Sequence, residues 1–272
     1  MAILFVAGLL SYGGQPVTRL YTTEDGLVRN SVSVIRKDSR GRLWFCTGDG
    51  LSLFDGEKFA NYTGADGAPF RSVADILDAG GGFYWLATRS GLYRFRPRTA
   101  ASPVAFEPVP LAIPGASANV LLRDRTGQVW CGTSQGIERI VEGSKPHGEQ
   151  VRLDIPGEVS QPHYVMALAQ DPSGDLWIGT GAGLLRYGSG GATRFRDTCT
   201  DVMVRDLLVD RAGELWVGYR NGSSRASQSP DSGAGRGCGR PDLHCHRSWY
   251  RLLRSRLRPH FATVRRRRTS PG

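Results

Sequence analysis

The sequence has little cysteine and no long hydrophobic run. Five cysteines in 272 residues, an odd and scattered set, exclude a small scaffold held together by disulfides. The apolar stretch at residues 2–10 (AILFVAGLL) is too short to span a bilayer as a helix. Its length matches the hydrophobic region of a secretory signal, so we interpret residues 1–16 as the remnant of a signal peptide. The alternatives are a stray apolar strand or a misplaced start codon.

Histidine is also scarce, and the residues of catalytic or metal sites do not cluster. Only His147 and His163 precede the last fifty residues, and neither stands at a metal-ligand spacing. The glycine-rich stretches lie among strand patterns and do not precede a helix, so they do not indicate phosphate loops. We therefore expect no catalytic residue, no metal, no cofactor and no enzyme activity in this chain.

The net charge of +10 does not describe the whole chain. Residues 223–272 contain twelve arginines, no lysine and two acidic residues, which accounts for the full excess. Residues 1–222 contain 23 basic and 23 acidic residues. This part of the chain needs no anionic partner to balance its charge, and we expect it not to bind nucleic acid.

Glycine is abundant, with 36 residues, and much of it belongs to a repeat built around tryptophan. Aspartate stands six residues before the tryptophan in four copies and seven before it in the second. Glycine stands three residues before the tryptophan and again six residues after it. Threonine stands three residues after the tryptophan, and tyrosine replaces it in the last copy. The tryptophans are Trp44, Trp85, Trp130, Trp177 and Trp216, at spacings of 41, 45, 47 and 39 residues.

Each copy predicts a four-stranded antiparallel meander. An apolar run leads into Asp-x-x-Gly, a turn in which the carboxylate caps backbone N–H groups and glycine supplies the positive φ. The phrase "LWIGT" then reads as a strand, and a second turn at the next glycine leads to a third strand. A repeat of this length with a tryptophan strand is typical of β-propeller blades, whereas a flat solenoid usually has shorter repeats.

The predicted fold is therefore all-β, an incomplete β-propeller of four blades and part of a fifth over residues 17–222. No copy has the helical spacing of apolar residues over a helix-length window. We expect an open arc or a strained ring, with an exposed edge strand through which the chain can self-associate.

The pattern D-x-x-G-x-L-W-x-G-T-x-x-G-L-x-R resembles the repeat of the two-component regulator propellers. Residues 19–59 resemble the usual first blade of such proteins, including the lead-in "DGL". The resemblance covers residues 17–222 and implies a periplasmic or other extracytoplasmic sensor that binds a small ligand, in some relatives derived from carbohydrate. It also implies a β-sandwich, a membrane helix and an output domain such as a histidine kinase, and we recognise none of these in these 272 residues.

Two other classes of function remain open. One is a propeller enzyme of the streptogramin-lyase type, which would need a His/Glu cluster and a metal at the propeller axis. The other is a non-enzymatic interaction scaffold. If a ligand site exists, we expect it on loops at one end of the blades. The candidate residues lie in the turn that follows the repeat threonine: Asp49, Arg89, Gln135 and Arg220. The alternative is that they are solvated turn residues without a binding role.

The last fifty residues break the repeat inside its fifth copy. Residues 223–272 are rich in Arg, Ser, Gly and Pro, and we interpret them as a disordered tail or the product of a truncation or frameshift. A basic arm using the "RRRR" of residues 265–268 and Trp249–Tyr250 is one alternative. A zinc site is another, although its spacing is poor; it would use Cys238, His244, Cys245 and His246.

Overall fold

The computed structural model describes residues 2–5, 18–70, 72–154, 164–195, 203–219 and 222–226. These residues form 21 β-strands and two short 3-10 turns, Thr23–Asp25 and Gly64–Asp66. They divide into two compact units. One contains the chain up to Arg89 together with Arg94–Glu107, and the other contains Ser90–Tyr93 and the chain from Pro108.

The N-terminal strands make a two-stranded ribbon and two four-stranded sheets, which we call blades 1 and 2. The ribbon pairs β1 (Ala2–Phe5) with β2 (Thr18–Tyr21). Blade 1 contains β3 (Val32–Lys37), β4 (Leu43–Thr47), β5 (Gly50–Phe54) and β6 (Phe59–Tyr62). Blade 2 contains β7 (Val73–Gly80), β8 (Phe83–Thr88), β9 (Gly91–Arg96) and β10 (Ala105–Val109).

The remaining strands form blades 3, 4 and 5. Blade 3 contains β11 (Ala118–Arg123), β12 (Val129–Thr133), β13 (Gly136–Val141) and β14 (His147–Val151). Blade 4 contains β15 (Val165–Gln170), β16 (Leu176–Thr180), β17 (Gly183–Gly188) and β18 (Gly191–Phe195). Blade 5 contains β19 (Val204–Val209), β20 (Leu215–Tyr219) and β21 (Gly222–Ala226).

In every blade the strands pair antiparallel in chain order, so the predicted meander is confirmed. The strand Gly222–Ala226 pairs with β20, although the sequence analysis interprets residues from 223 onward as a tail outside the repeat. Backbone ladders require no particular side chains, so the loss of the Leu-x-Arg signature does not prevent this pairing. The β1 strand covers part of the stretch interpreted as a signal remnant, and residues 6–17 and 227–272 lie outside the described residues.

The first strand of every blade carries a bulge near its start, which the repeat pattern does not predict. The register with the second strand shifts by one residue, for example between Val32 and Val34 in blade 1 and between Ala118 and Val120 in blade 3. In two blades the side chain of the bulged residue donates a hydrogen bond to the next blade of the same unit. The Ser33 hydroxyl donates to the Val73 carbonyl at 3.3 Å, and the Asn119 amide donates to the Val165 carbonyl at 3.0 Å.

Within the second unit, small residues on the tryptophan strands allow close packing of neighbouring sheets. A Cβ added to Gly179 would lie 2.6 Å from a methyl carbon of Val204 in blade 5. A Cβ added to Gly132 would lie 2.5 Å from Val165 in blade 4. Both distances are shorter than a carbon–carbon contact allows, so this packing requires glycine.

Within the first unit, blade 1 packs on blade 2 through a large aromatic cluster. The ring centroids of Trp44 and Tyr84 lie 4.9 Å apart, and those of Trp44 and Phe95 lie 5.8 Å apart. A bidentate ion pair also crosses the two blades, with Arg36 donating to both oxygens of the buried Asp75 at 2.8 and 2.9 Å. Burial of apolar surface and the ion pair of a buried carboxylate together stabilise the contact between the two sheets.

Candidate functional site

The repeat aspartate and the repeat tryptophan are hydrogen-bonded to each other. In blades 1, 3, 4 and 5 the indole N–H donates to Oδ2 of the aspartate six residues earlier. The four distances lie between 2.8 and 3.1 Å; the pairs are Trp44–Asp38, Trp130–Asp124, Trp177–Asp171 and Trp216–Asp210. The spacing of six residues, which the sequence shows only as a regularity, therefore has a physical cause.

The other carboxylate oxygen caps the turn, as the sequence predicted. In blade 3, Oδ1 of Asp124 accepts the backbone N–H groups of Thr126 and Gln128 at 2.9 and 3.0 Å. Burial raises the pKa of the Asp124 carboxyl, but the hydrogen bonds from Thr126, Trp130 and the backbone outweigh this effect, and the pKa lies below its usual value. These aspartates hold the blades together and need no catalytic explanation.

Blade 2 departs from this arrangement because Asp78 is one residue further from the tryptophan. Its Oδ1 still caps the turn by accepting the Gly80 N–H at 2.8 Å. Its Oδ2 accepts the N–H and hydroxyl of Ser39 in blade 1 at 3.1 and 2.6 Å. Asp78 thus links blade 2 to the turn of blade 1. In blade 4 the side-chain oxygen of Gln170 makes the corresponding link to blade 3, accepting the N–H of Arg125 at 2.8 Å.

At the opposite end of the blades, the repeat threonine closes the turn between the second and third strands. In blade 1 the Thr47 hydroxyl donates to the Gly50 carbonyl at 2.9 Å and accepts the Asp49 N–H at 3.2 Å. The equivalent threonines of blades 3 and 4, Thr133 and Thr180, make the same two hydrogen bonds. These turns are therefore fixed, and the residue at their tip is held in position.

The candidate ligand residues of the sequence analysis stand at these tips. Asp49 is half-exposed and forms an ion pair with Arg29 at 2.8 Å. Arg89 and Gln135 are exposed, and Arg220 lies outside the described residues. Among the residues that the structure describes, no hydrogen bond or ion pair joins any two of these positions, and their role in binding stays a prediction.

The structure adds Tyr164, which sequence analysis did not identify, to this end of the second unit. Tyr164 immediately precedes β15, is 48% exposed and has a φ of 63°. Its N–H donates to the Ser134 carbonyl and its carbonyl accepts the Gly181 N–H, both at 3.2 Å. A bulky residue with positive φ is strained, and such strain is concentrated at functional sites. Two neighbouring turns thus present an exposed phenol ring to solvent.

One buried acid, Glu138, lies away from both ends of blade 3. Its side chain is 1% exposed and accepts the N–H groups of Ala112 at 2.9 Å and Ile113 at 3.4 Å. Burial raises the pKa of this carboxyl, and the two N–H groups offset the effect only in part. Glycine at position 148 on the paired strand leaves room for the carboxylate.

The other residues considered for metal binding or redox chemistry do not form a site in the described part of the chain. His147 is exposed and lies against Glu149 and the Lys145 carbonyl, while His163 lies outside the described residues. Cys46 and Cys131 are buried and form no disulfide among the described residues. No cluster of three metal-binding side chains occurs among the described residues, and the proposed ligands of the C-terminal segment are not among them.

Comparison with known proteins confirms the resemblance. A family model described as two-component regulator propeller matches residues 26–49 and 160–182. No curated protein matches the sequence at a significant level. Among the residues that the structure describes, we find no helix with the length and hydrophobicity of a membrane span.

Solved structures share the fold. The extracellular domain of the putative one component system BT4673 from B. thetaiotaomicron is 22% identical, with a TM-score of 0.58 over 70% of this chain and 27% of that one. The extracellular domain of the putative hybrid two component system BT3049 from the same organism is also 22% identical. Its TM-score is 0.58 over 72% of this chain and 27% of that one. This chain therefore spans about a quarter of each domain.

A third neighbour is an enzyme. A catalytically inactive virginiamycin B lyase from Staphylococcus aureus, solved with quinupristin, is 16% identical with a TM-score of 0.58. The alignment covers 79% of this chain and 72% of the lyase. At these identities the likeness shows the fold, a set of β-propeller blades, and does not show a shared activity.

Proposed function

We propose that these blades are part of an extracytoplasmic sensing propeller of a two-component regulator and bind a small ligand. The observation that carries the proposal is the presence of two-component regulator propeller repeats in a chain whose structural neighbours include extracellular domains of one- and two-component systems. Such a module needs no catalytic residues of its own, because its output follows from a change in ligand occupancy.

The end of the blades that carries Tyr164 is the best candidate for the ligand-binding surface. The turn tips there are held by threonine hydroxyls, so side chains at the tips are positioned in advance of binding. An exposed tyrosine offers a flat apolar face and a hydroxyl at little cost in conformational entropy. Position 164 is serine in the first three copies, at Ser31, Ser72 and Ser117, so this ring distinguishes blade 4.

The proposal is tested by screening the purified chain against soluble small molecules, monosaccharides and sugar acids included, for a rise in thermal midpoint. We expect a hit whose affinity falls at least about tenfold in Tyr164→Ser, because a buried aromatic contact is lost. Leu208→Ser, which alters another exposed apolar side chain, is the matched control and should bind as well as the parent. Equal affinity in Tyr164→Ser and the parent would place binding elsewhere.

A second candidate, a propeller lyase, is favoured by the lyase neighbour alone. Incubating the chain with quinupristin and separating the compound from its products by liquid chromatography tests this candidate. Time-dependent conversion that needs the folded chain would replace the sensing proposal, whereas an unchanged compound would leave the sensing proposal as the better account.

A further inference from the structure

Blades 1 and 3 place an aspartate beside the same tryptophan but complete its surroundings differently. In blade 1, Oδ2 of Asp38 accepts three donors: the Trp44 indole at 3.1 Å, the Arg42 guanidinium at 2.9 Å and the Tyr84 hydroxyl at 2.9 Å. Arg42 also donates to the Tyr84 oxygen at 2.6 Å. A guanidinium and a phenol from the next blade thus occupy the space beside the carboxylate.

In blade 3 the same oxygen has one donor within the described part of the chain. The residue four positions after Asp124 is Gln128, and its amide donates to the carbonyls of Val129 and Ile140, both at 2.9 Å. Among the residues that the structure describes, Oδ2 of Asp124 accepts the Trp130 indole N–H at 2.8 Å and no other hydrogen bond. Among the residues that the structure describes, no lysine, arginine or histidine forms an ion pair with Asp124. Since a carboxylate oxygen has two lone pairs, Oδ2 retains room for another donor.

A cavity of about 360 Å³ lies at this point between blades 3 and 4. Leu176 stands at the position of Tyr84, so the hydroxyl that blade 2 contributes to blade 1 has no counterpart at that position. Ten residues line the cavity, among them Leu176, the aromatic residues Trp130 and Tyr187, and the acidic residues Asp124 and Asp175. The two ring centroids are 6.1 Å apart at an interplanar angle of 69°.

The charge of this cavity is negative. Asp175 is paired with Arg186 at 2.6 Å, which leaves Asp124 as the lining carboxylate without an ion-pair partner among the described residues. Hydrogen bonds to Asp124 hold its pKa below the usual value, so the carboxylate is ionised at neutral pH. An ionised carboxylate beside two aromatic rings favours a planar cation, which can donate to the carboxylate and stack on a ring.

We propose that the cavity between blades 3 and 4 binds the guanidinium group of a ligand, an arginine side chain of a peptide or a small guanidine. The guanidinium takes the place that Arg42 occupies in blade 1, donating to Oδ2 of Asp124. Blade 1 shows that the repeat accepts this group, and blade 3 leaves the position open. This site lies at the turn end opposite Tyr164 and does not depend on the sensing role.

The proposal is tested with arginine amide, using citrulline amide, whose side chain is an uncharged urea of the same shape, as the control probe. The readout is the NMR signal of the Trp130 indole N–H, assigned with Trp130→Phe. We expect arginine amide to shift this signal in a saturable manner and citrulline amide to leave it unchanged. In Gln128→Arg the protein supplies its own guanidinium, and we expect affinity for arginine amide to fall at least about tenfold, as for loss of a charged hydrogen bond.

Gln128→Leu is the matched control, because it removes the same amide without adding a charge, and it should bind arginine amide as the parent does. Should Gln128→Arg fold poorly, Tyr187→Leu replaces it, since this change removes one ring and leaves Asp124 in place; we expect weaker binding there too. Equal binding of the two amides, or no shift of the Trp130 signal by either, would overturn the proposal.

Discussion

The indole N–H of Trp177 donates to Oδ2 of Asp171 at 3.0 Å across a hairpin turn, and both residues are buried. The other oxygen, Oδ1, accepts the Ser173 hydroxyl at 2.6 Å and the Asp175 N–H at 3.1 Å. Asp171→Ala leaves these donors without an acceptor inside the blade. We expect the free energy of unfolding to fall by about 2–4 kcal/mol, measured by urea denaturation.

Asp55→Ala is the control for that experiment. Asp55 caps an exposed turn by accepting the N–H groups of Glu57 and Lys58, both at 2.9 Å, and holds no indole. We expect a clearly smaller loss of stability than in Asp171→Ala. Equal losses would mean that the indole contact contributes nothing beyond an ordinary turn cap.

Acid should destabilise the blades through the repeat aspartates. For Asp38, Asp124 and Asp171, burial raises the pKa but hydrogen bonds lower it further, so each folded pKa lies below the value of 3.8. A lowered carboxyl pKa contributes stability that is present above the unfolded pKa and is lost as pH falls through the folded pKa. We expect the urea midpoint to drop between about pH 5 and pH 2. In Asp124→Asn that drop should be smaller, and an unchanged drop would rule out a contribution from this residue.

The stability contributed by Glu138 should depend on pH in the opposite direction. Burial raises its pKa above 4.5, which means that the folded state holds the proton more tightly than the unfolded state. The contribution of Glu138 to the free energy of unfolding therefore falls as pH rises from the unfolded pKa through the folded pKa. We expect Glu138→Gln to gain stability relative to the parent as pH is raised from about 4 to about 7. A difference that does not vary with pH would mean that Glu138 keeps its ordinary pKa.

The close fit around Glu138 makes a steric prediction. A Cβ at position 148 would overlap Oε2 of Glu138 and lie 3.3 Å from the Leu111 Cα, so Gly148→Ala should lower the free energy of unfolding by about 1–3 kcal/mol. Gly190→Ala is the matched control, because no atom lies within 4 Å of its added Cβ. Thermal denaturation should show a lower midpoint for Gly148→Ala alone. Equal midpoints would indicate that blade 3 adjusts without strain.

Much of the blade architecture could be predicted from local chemistry. The turn at Asp-x-x-Gly follows from a carboxylate cap and a glycine with positive φ, as at Asp38 and Gly41, where φ is 83°. The close approach of sheets at Gly179 likewise follows from a glycine beside a large ring. Both features depend on residues near each other in sequence, and repetition makes the signal strong.

Contacts between blades could not be predicted in the same way. Nothing local marks Asp75 as the partner of Arg36, 39 residues earlier, or Tyr84 as a donor to Asp38, because such pairs depend on how one sheet meets the next. The positive φ of Tyr164 arises from hydrogen bonds to two other turns and leaves no trace in its own sequence. The strand at Gly222–Ala226 was missed because backbone pairing does not require the repeat's side chains.

In blades 1, 3, 4 and 5 the aspartate that caps the turn accepts backbone N–H groups and the indole N–H. In these four blades the residue four positions after the aspartate contributes its backbone N–H to the cap, whatever its side chain. That position accordingly holds Arg42, Gln128, Asp175 and Glu214, which range from cation to anion. Each blade can therefore acquire its own charge at the seam with the next one, and a family of such repeats can diversify what its seams recognise without refolding its blades.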